Sequence, residues 1–308
     1  MSGLVPQLWD PLYGDLNELI EEAEQKLGVE KSLLEDIIQT KAVLRLNNIK
    51  QLSFTYYTYI GGTNSRFSHS VGVMYAIIKT LINIKREIEI DTEDSQTLIL
   101  SALLHDIGHG PFGHALESFL RRVAASAKTV SSDQLKYYQH SYYTYKFIKD
   151  GKFGLDDVFT KYGIDKEKVA SVATGCKFGK CPKQWMGLLF DSTLDFDRVD
   201  FLLRDSYFTG YGLPKELGEL SGQRIKDIVN NIANGIELVE PHKIKNSEAL
   251  RSELGLEKLD DIDYLISYRE EIFNEFIFPL IRHYVDVYTN VYLHWCNRVS
   301  QEMVAKAL

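Results

Sequence analysis

Apolar positions along this chain recur with the period of a helix, and alternation of the strand kind is almost missing. From Phe67, the residues Val71, Met74, Ile78 and Leu81 fall four, seven, eleven and fourteen places on, while Val73, Ala76 and Ile77 form a second apolar face. A helix apolar on two faces is a buried one. Asn64 or Ser65 stands where a cap is needed at its start. A second helix is predicted over 94–106 and stopped by Gly108. A third, capped by Ser192 or Thr193, runs through Arg204. Its apolar stripe is Phe196, Val199, Leu202 and Leu203, and Asp197, Asp200 and Arg204 share its polar face. A last long helical stretch is expected over 263–308, broken at Pro279 and lacking a stop signal. Residues 53–60, ended by Gly61 and Gly62, are the one strand-like piece and read equally as a tyrosine-rich loop. The predicted fold class is all-α, with a helical core and N-terminal extension over 1–239. A polar connection at 240–262 and a C-terminal helical segment packed on the core at 263–308 complete it.

Composition narrows the function classes. A net charge of −8 argues against a nucleic-acid coat or an anionic membrane surface as partner, though not against a small anionic substrate. No apolar run approaches the roughly 18 to 20 residues that span a bilayer, and the start of the chain lacks the pattern of a secretory signal, so a cytoplasmic protein is expected. Cys176 and Cys181 bracket a four-residue loop with no second pair to complete a zinc site, and with Cys296 they are expected as free thiols.

The polar residues that interrupt the apolar pattern carry the chemistry. His105 and Asp106 end an apolar run (98–104) and lead into Gly108-His109-Gly110-Pro111-Phe112-Gly113-His114. Five of the eight histidines lie between His69 and His140. Each such group at the end of an apolar helix must be satisfied. A borderline divalent metal satisfies imidazoles and carboxylates together. Taken singly, His69 reads equally as a satisfied core histidine and Asp197 as a solvated acid; beside the His105-Asp106 pair they read jointly as ligands.

The blocks Arg66-Phe67-Ser68-His69, His105-Asp106-Ile107-Gly108-His109 and Asp195-Phe196-Asp197-Arg198 resemble the H…HD…D signature of HD-domain phosphohydrolases. More narrowly they resemble the deoxynucleoside triphosphate triphosphohydrolases related to the sterile-alpha-motif-and-HD-domain protein. Asp10-Pro11-Leu12-Tyr13-Gly14, Ile49-Lys50-Gln51-Leu52 and Val291-Tyr292-Leu293-His294 extend the likeness, in family order, across nearly the whole chain. The resemblance implies an HD-domain helical core and one divalent transition metal (iron, zinc, manganese or nickel) on His69, His105, Asp106 and Asp197, with magnesium on the substrate phosphates. It implies Arg66 on the phosphate next to the sugar, Arg198 on the outer phosphates, and His109 and His114 near them. His140 would be the catalytic histidine, oriented by Glu117. Gln51 and Asp205 would bond the ribose 3′-hydroxyl, and Tyr292 would pack on the sugar. The implied reaction takes a deoxynucleoside triphosphate to deoxynucleoside and inorganic triphosphate in a homo-oligomer, a dimer or tetramer, with neither membrane nor nucleic acid as partner. A different nucleotide or phosphomonoester substrate, or a silent nucleotide-binding module, are the alternatives.

The chain also departs from that pattern. Gln39, Leu44 and Asn47 occupy positions of an activating guanine-nucleotide site, and leucine cannot hydrogen-bond a base, so no dependence on such an activator is expected. Tyr13 replaces a histidine, Trp295 a lysine, Tyr284 an arginine and Phe201 a tyrosine.

Overall fold

The computed structural model describes residues 8–126, 132–192, 194–241 and 263–307, and the described chain is helical apart from two small antiparallel strand pairs. The order runs β1 (Trp9–Asp10), β2 (Gly14–Asp15), α1 (Leu16–Leu27), α2 (Lys31–Ile38), α3 (Lys41–Leu44), α4 (Arg66–Ile84), α5 (Thr92–Leu104) and α6 (His114–Ser126). It continues with α7 (His140–Lys149), α8 (Leu155–Tyr162), α9 (Lys166–Ala173), α10 (Gln184–Leu188), α11 (Phe196–Thr209), α12 (Gly222–Asn234) and β3 (Ile236–Val239). After the polar stretch come β4 (Leu265–Tyr268), α13 (Glu270–Ile272), α14 (Phe278–Val287) and α15 (Trp295–Ala307).

The two-faced apolar pattern lands on α4, which is buried on nearly every side and packs against α5, α11 and α12. Its 19 residues are long and apolar enough to cross a membrane by composition, contrary to the sequence expectation, but 72% of its apolar window is buried inside the core. Ser65 caps it, the side-chain oxygen accepting from the Ser68 amide at 3.2 Å. Asp91 caps α5, which begins at Thr92, and its helical geometry ends at Leu104, so His105 to Gly108 form a turn at its end. On α11 the cap is Asp195, whose carboxylate accepts from the Arg198 amide at 2.9 Å; Ser192 does not serve, and Thr193 lies outside the described residues.

Two expectations about strands are corrected. Residues 53–60 form a short 3₁₀ turn at Thr55–Tyr57, and the one sizeable pairing joins β3 to β4, with Ile236 opposite Tyr268 and Val239 opposite Leu265. The flanks of the polar connection are thus cross-linked by backbone hydrogen bonds, while 242–262 lie outside the described residues. Pro279 does not end the helical stretch: it sits in the first turn of α14, directly after a π-turn at Phe273–Ile277, so its missing N–H falls where the helical ladder is already irregular. A second π-turn lies at Tyr288–Tyr292. The C-terminal helices pack on the core, α14 against α11 and α15 against α6. Cys176 and Cys181 are joined as a disulfide rather than free, because the loop between them folds back and brings their Cα atoms to 5.3 Å.

Candidate metal and phosphate site

Two close approaches of backbone build the site, and each depends on a glycine. A Cβ at Gly72 of α4 would sit 1.9 Å from the Asp200 carboxylate, so glycine lets α11 lay its acids against the helix that carries His69. A Cβ at Gly108 would sit 2.0 Å from the His140 carbonyl oxygen. Glycine there lets the start of α7 rest on the turn after His105. The Gly108 amide donates to the Thr144 hydroxyl at 2.9 Å, which in turn donates to the His105 carbonyl at 2.8 Å. Arg45 clamps the same turn, donating to the carbonyls of Ile107 and His109.

The four predicted ligands meet. His69 Nε2 lies 2.9 Å from Asp197 Oδ1 and 3.2 Å from His105 Nε2. Asp106 Oδ2 lies 3.9 Å from His69 Nε2, and Asp106 Oδ1 lies 3.7 Å from His105 Nε2. The far nitrogens are fixed by neighbours: His69 Nδ1 by Asp200 Oδ2 at 2.8 Å, and His105 Nδ1 by the Ala102 carbonyl at 2.8 Å. Such outer partners set ring orientation and tautomer in metal centres. Burial disfavours charge on His69, yet its hydrogen bonds to Asp197 and Asp200 outweigh burial and push its pKa up to about 10. The donor set of two imidazoles and two carboxylates is one that a divalent transition metal fits.

Behind Asp200 stands a polar chain that sequence reasoning reduced to a shared helix face. Arg204 holds Asp200 through Nε at 2.9 Å and Nη2 at 3.1 Å, and reaches Asp10 Oδ2 at 2.8 Å. The Tyr13 hydroxyl donates to Asp200 Oδ1 at 2.6 Å. The i,i+4 spacing of Asp200 and Arg204 was the available signal, but their burial was not visible in it.

Arg66 is buried and donates through Nη1 to Asp106 Oδ2 at 2.6 Å. His140 Nδ1 lies 3.0 Å from Glu117 Oε1, and the His140 ring stacks on that of His109 at 3.8 Å between centroids. Burial would raise the Glu117 pKa, but His114 and His140 hold it well below the usual carboxylate range. Burial together with the Arg66 charge keeps His109 neutral.

A cavity of about 440 Å³ opens beside these groups and is lined by Gln51, Arg66, His114, Asp205 and Tyr292 among others. Asp205 accepts from Asn64 at 2.9 Å and from the Tyr292 hydroxyl at 2.8 Å, and its burial, opposed by those bonds, raises its pKa to about 6. Gln51 Oε1, Arg66 Nε and His109 Nδ1 are buried without a hydrogen-bond partner among the described residues. Leaving such an atom bare costs about 1–3 kcal/mol, a cost a ligand can remove.

One predicted residue is not brought in. Arg198 turns back onto its own helix cap, donating to Asp195 Oδ2 at 2.9 Å and to the Ser192 carbonyl, and it does not line the cavity. The cause is the Asp195 carboxylate, three residues before it. Gln39, Leu44 and Asn47 lie exposed at the surface, while Tyr284 and Phe201 line the cavity.

Residues 66–171 match the HD domain family, a span that holds His69, His105, Asp106 and His140, with Asp197 following it. An uncharacterized protein of Mycoplasma pneumoniae is 36% identical over 57% of this chain and 39% of its own length. The uncharacterized protein YwfO of Bacillus subtilis is 28% identical over 89% of this chain and 54% of its own. A deoxynucleoside triphosphate triphosphohydrolase SAMHD1 homolog of Dictyostelium discoideum is 29% identical over 57% of this chain and 33% of its own. The chain thus spans about half the length, or less, of these curated relatives. In fold it is similar to a phosphohydrolase from Bacteroides thetaiotaomicron, with a TM-score of 0.65 at 20% identity, covering 97% of this chain and 57% of that one.

Proposed function

Residues 66–171 carry the match to the HD domain family, and from that premise we propose that this chain is a metal-dependent phosphohydrolase acting on deoxynucleoside triphosphates, with deoxynucleoside and inorganic triphosphate as products. The observation that carries the reading is the convergence of His69, His105, Asp106 and Asp197, the His140–Glu117 pair and buried Arg66 beside one cavity. His69, His105, Asp106 and Asp197 would hold iron, zinc, manganese or nickel. Such an ion, when bound, supplies Lewis acidity at a phosphoryl oxygen.

The chain's own groups do the rest. Asp200 keeps His69 turned with Nε2 toward the other ligands. Arg66 neutralises the phosphate next to the sugar while its Nη1 stays on Asp106. Glu117 holds Nδ1 of His140, leaving Nε2 to hand a proton to the sugar oxygen as its bond to phosphorus breaks. Asp205, aligned by Asn64 and Tyr292, and the unpartnered Gln51 Oε1 offer acceptors to a sugar hydroxyl. Assembly as a homo-oligomer belongs to the same proposal.

A second reading, hydrolysis of another nucleotide or of a phosphomonoester, is favoured by the cations on the cavity wall. Among the described residues Arg66 and Arg298 are the arginines lining it, no lysine does, and Arg198 is engaged elsewhere, which is few charges for three phosphates. Product analysis on a panel of nucleotides with several divalent metals decides. Inorganic triphosphate from deoxynucleoside triphosphates is the expected result. Monophosphate with free phosphate would favour the second reading, and no product with any substrate would leave a silent binding module.

A further inference from the structure

Asn297, Arg298 and Gln301 of α15 line the cavity and belong to none of the groups assembled above. Gln301 stands four residues from Asn297 and three from Arg298, so the three share one face of the helix. Arg298 Nη1 donates to Gln301 Oε1 at 3.1 Å, and Gln301 Nε2 donates to Asn297 Oδ1 at 3.3 Å. Asn297 is 3% exposed and donates through Nδ2 to the Tyr292 carbonyl at 3.0 Å. A guanidinium can only donate, so Arg298 fixes which end of the Gln301 amide faces it. The relay ties all three side chains to Tyr292, whose hydroxyl serves Asp205.

The place of this face in the cavity says what meets it. α15 packs mainly on α6 and on the turn Thr55–Tyr57, whereas the four proposed ligands sit on α4, on α11 and in the turn after α5. The Arg122–Glu302 ion pair at 2.8 Å marks the register of α15 on α6. One turn earlier on each helix stand Ser118 and Arg298, and both line the cavity. A nucleotide with its phosphates toward Arg66 and its sugar at Asp205 and Tyr292 would turn its base to this wall. Leu52 and Leu293 add apolar surface to the cavity for a ring.

We propose that Arg298, held by Gln301 and Asn297, is a specificity-determining residue that selects guanine over adenine in the substrate. The proposal rests on the nucleotide reading of the site given above. With one N–H committed to Gln301, the guanidinium keeps its other donors for a ligand. Guanine sets two acceptors, O6 and N7, side by side, and the guanidinium fork meets them with two N–H bonds. Adenine keeps N7 but carries an amino group in place of O6, so a donor faces a donor. A lysine ammonium is a point charge without the fork and does not make this distinction.

The test is the ratio of kcat/KM for dGTP to that for dATP on the whole chain, or of their affinities should no product be released. Wild type should favour dGTP by about 5- to 150-fold, the worth of one bidentate pair. Arg298→Ala and Arg298→Lys should each bring the ratio toward parity. Arg298 is exposed, so both substitutions leave the fold intact. No preference in wild type, or a preference that survives in either variant, would overturn the assignment. An Arg298→Ala protein that loses both nucleotides equally would overturn it too, because the guanidinium would then be holding a phosphate. A preference for dGTP without any product would overturn the proposed hydrolysis and leave the base reading standing. Binding of neither nucleotide would overturn the nucleotide reading and this proposal with it.

Discussion

The Tyr13 hydroxyl donates to Asp200 Oδ1 at 2.6 Å while Oδ2 of the same carboxylate lies 2.8 Å from His69 Nδ1. A residue from the first turn of the chain therefore sets the orientation of a proposed ligand two bonds away. Burial drives the Asp200 carboxyl toward neutrality, but Arg204 and His69 hold its pKa down to about 2, so the acceptor is ionised at neutral pH. Tyr13→Phe removes a buried hydrogen bond to a charged group, worth about 1.5–3 kcal/mol. Because Asp200 keeps Arg204 and its bond to His69, metal affinity should fall by less than the roughly 10- to 100-fold that losing the outer partner itself costs. Titration of stripped protein with manganese checks this, and equal affinity in the variant would mean that Tyr13 only fills space.

Metal content is the simplest readout of the ligand assignment. His105→Ala and Asp106→Ala should each lose the ion of the His69 cluster. Asp106→Ala should also unfold at lower temperature, because Arg66 is left buried without its partner, a loss of about 3–5 kcal/mol. Elemental analysis finding the wild-type amount of metal on Asp106→Ala would rule the assignment out.

The meeting of the four proposed ligands was legible in the sequence because it needs only residue type and order: a buried helix holding His69, an apolar run ending in His105-Asp106, and Asp197 on a later amphipathic helix. The polar chain from Asp10 through Arg204 and Asp200 was not legible. Its members lie up to 194 residues apart, and helical periodicity gives a face without telling what covers it. Arg198 failed for a local reason: the acid three residues before it is a helix cap, and it also captures the guanidinium. The β3–β4 pair was missed because its strands are four residues long and the 25 residues between them offer no hairpin turn signal. The disulfide depends on loop geometry that the spacing of Cys176 and Cys181 leaves open.

Asp205 gives a pH signature. Its folded pKa is about 6, raised mainly by burial from the ordinary aspartate value of about 4. Between those values the folded state binds more protons than the unfolded state, so this group's contribution falls as pH rises. It is fully favourable below about pH 4 and lost above about pH 6, a change of about 3 kcal/mol. The difference in urea stability between wild type and Asp205→Asn should shift by that order from pH 4 to pH 7, and a difference that does not vary with pH would show that the carboxyl is already ionised throughout.

His140→Ala separates catalysis from metal binding. His140 touches Glu117 and the His109 ring and none of the four proposed ligands at hydrogen-bond distance, so deleting its side chain should leave the ion of the His69 cluster in place. As proton donor to the leaving oxygen it contributes in the transition state, and its loss should lower kcat by about 10²- to 10⁴-fold with KM little changed. Glu117→Gln should cost less, since it spoils orientation and basicity but leaves the imidazole. Arg66→Ala should differ from both. Its guanidinium meets the phosphate in ground state and transition state alike, so KM should rise as kcat falls, and Asp106 would lose its counter-charge as well. Steady-state rates on each variant, read beside metal content, distinguish these patterns. A His140→Ala protein that turns over at the wild-type rate would place the proton donor elsewhere, and His114, 66% exposed on the cavity wall and 3.5 Å from Glu117, would be the next residue to replace.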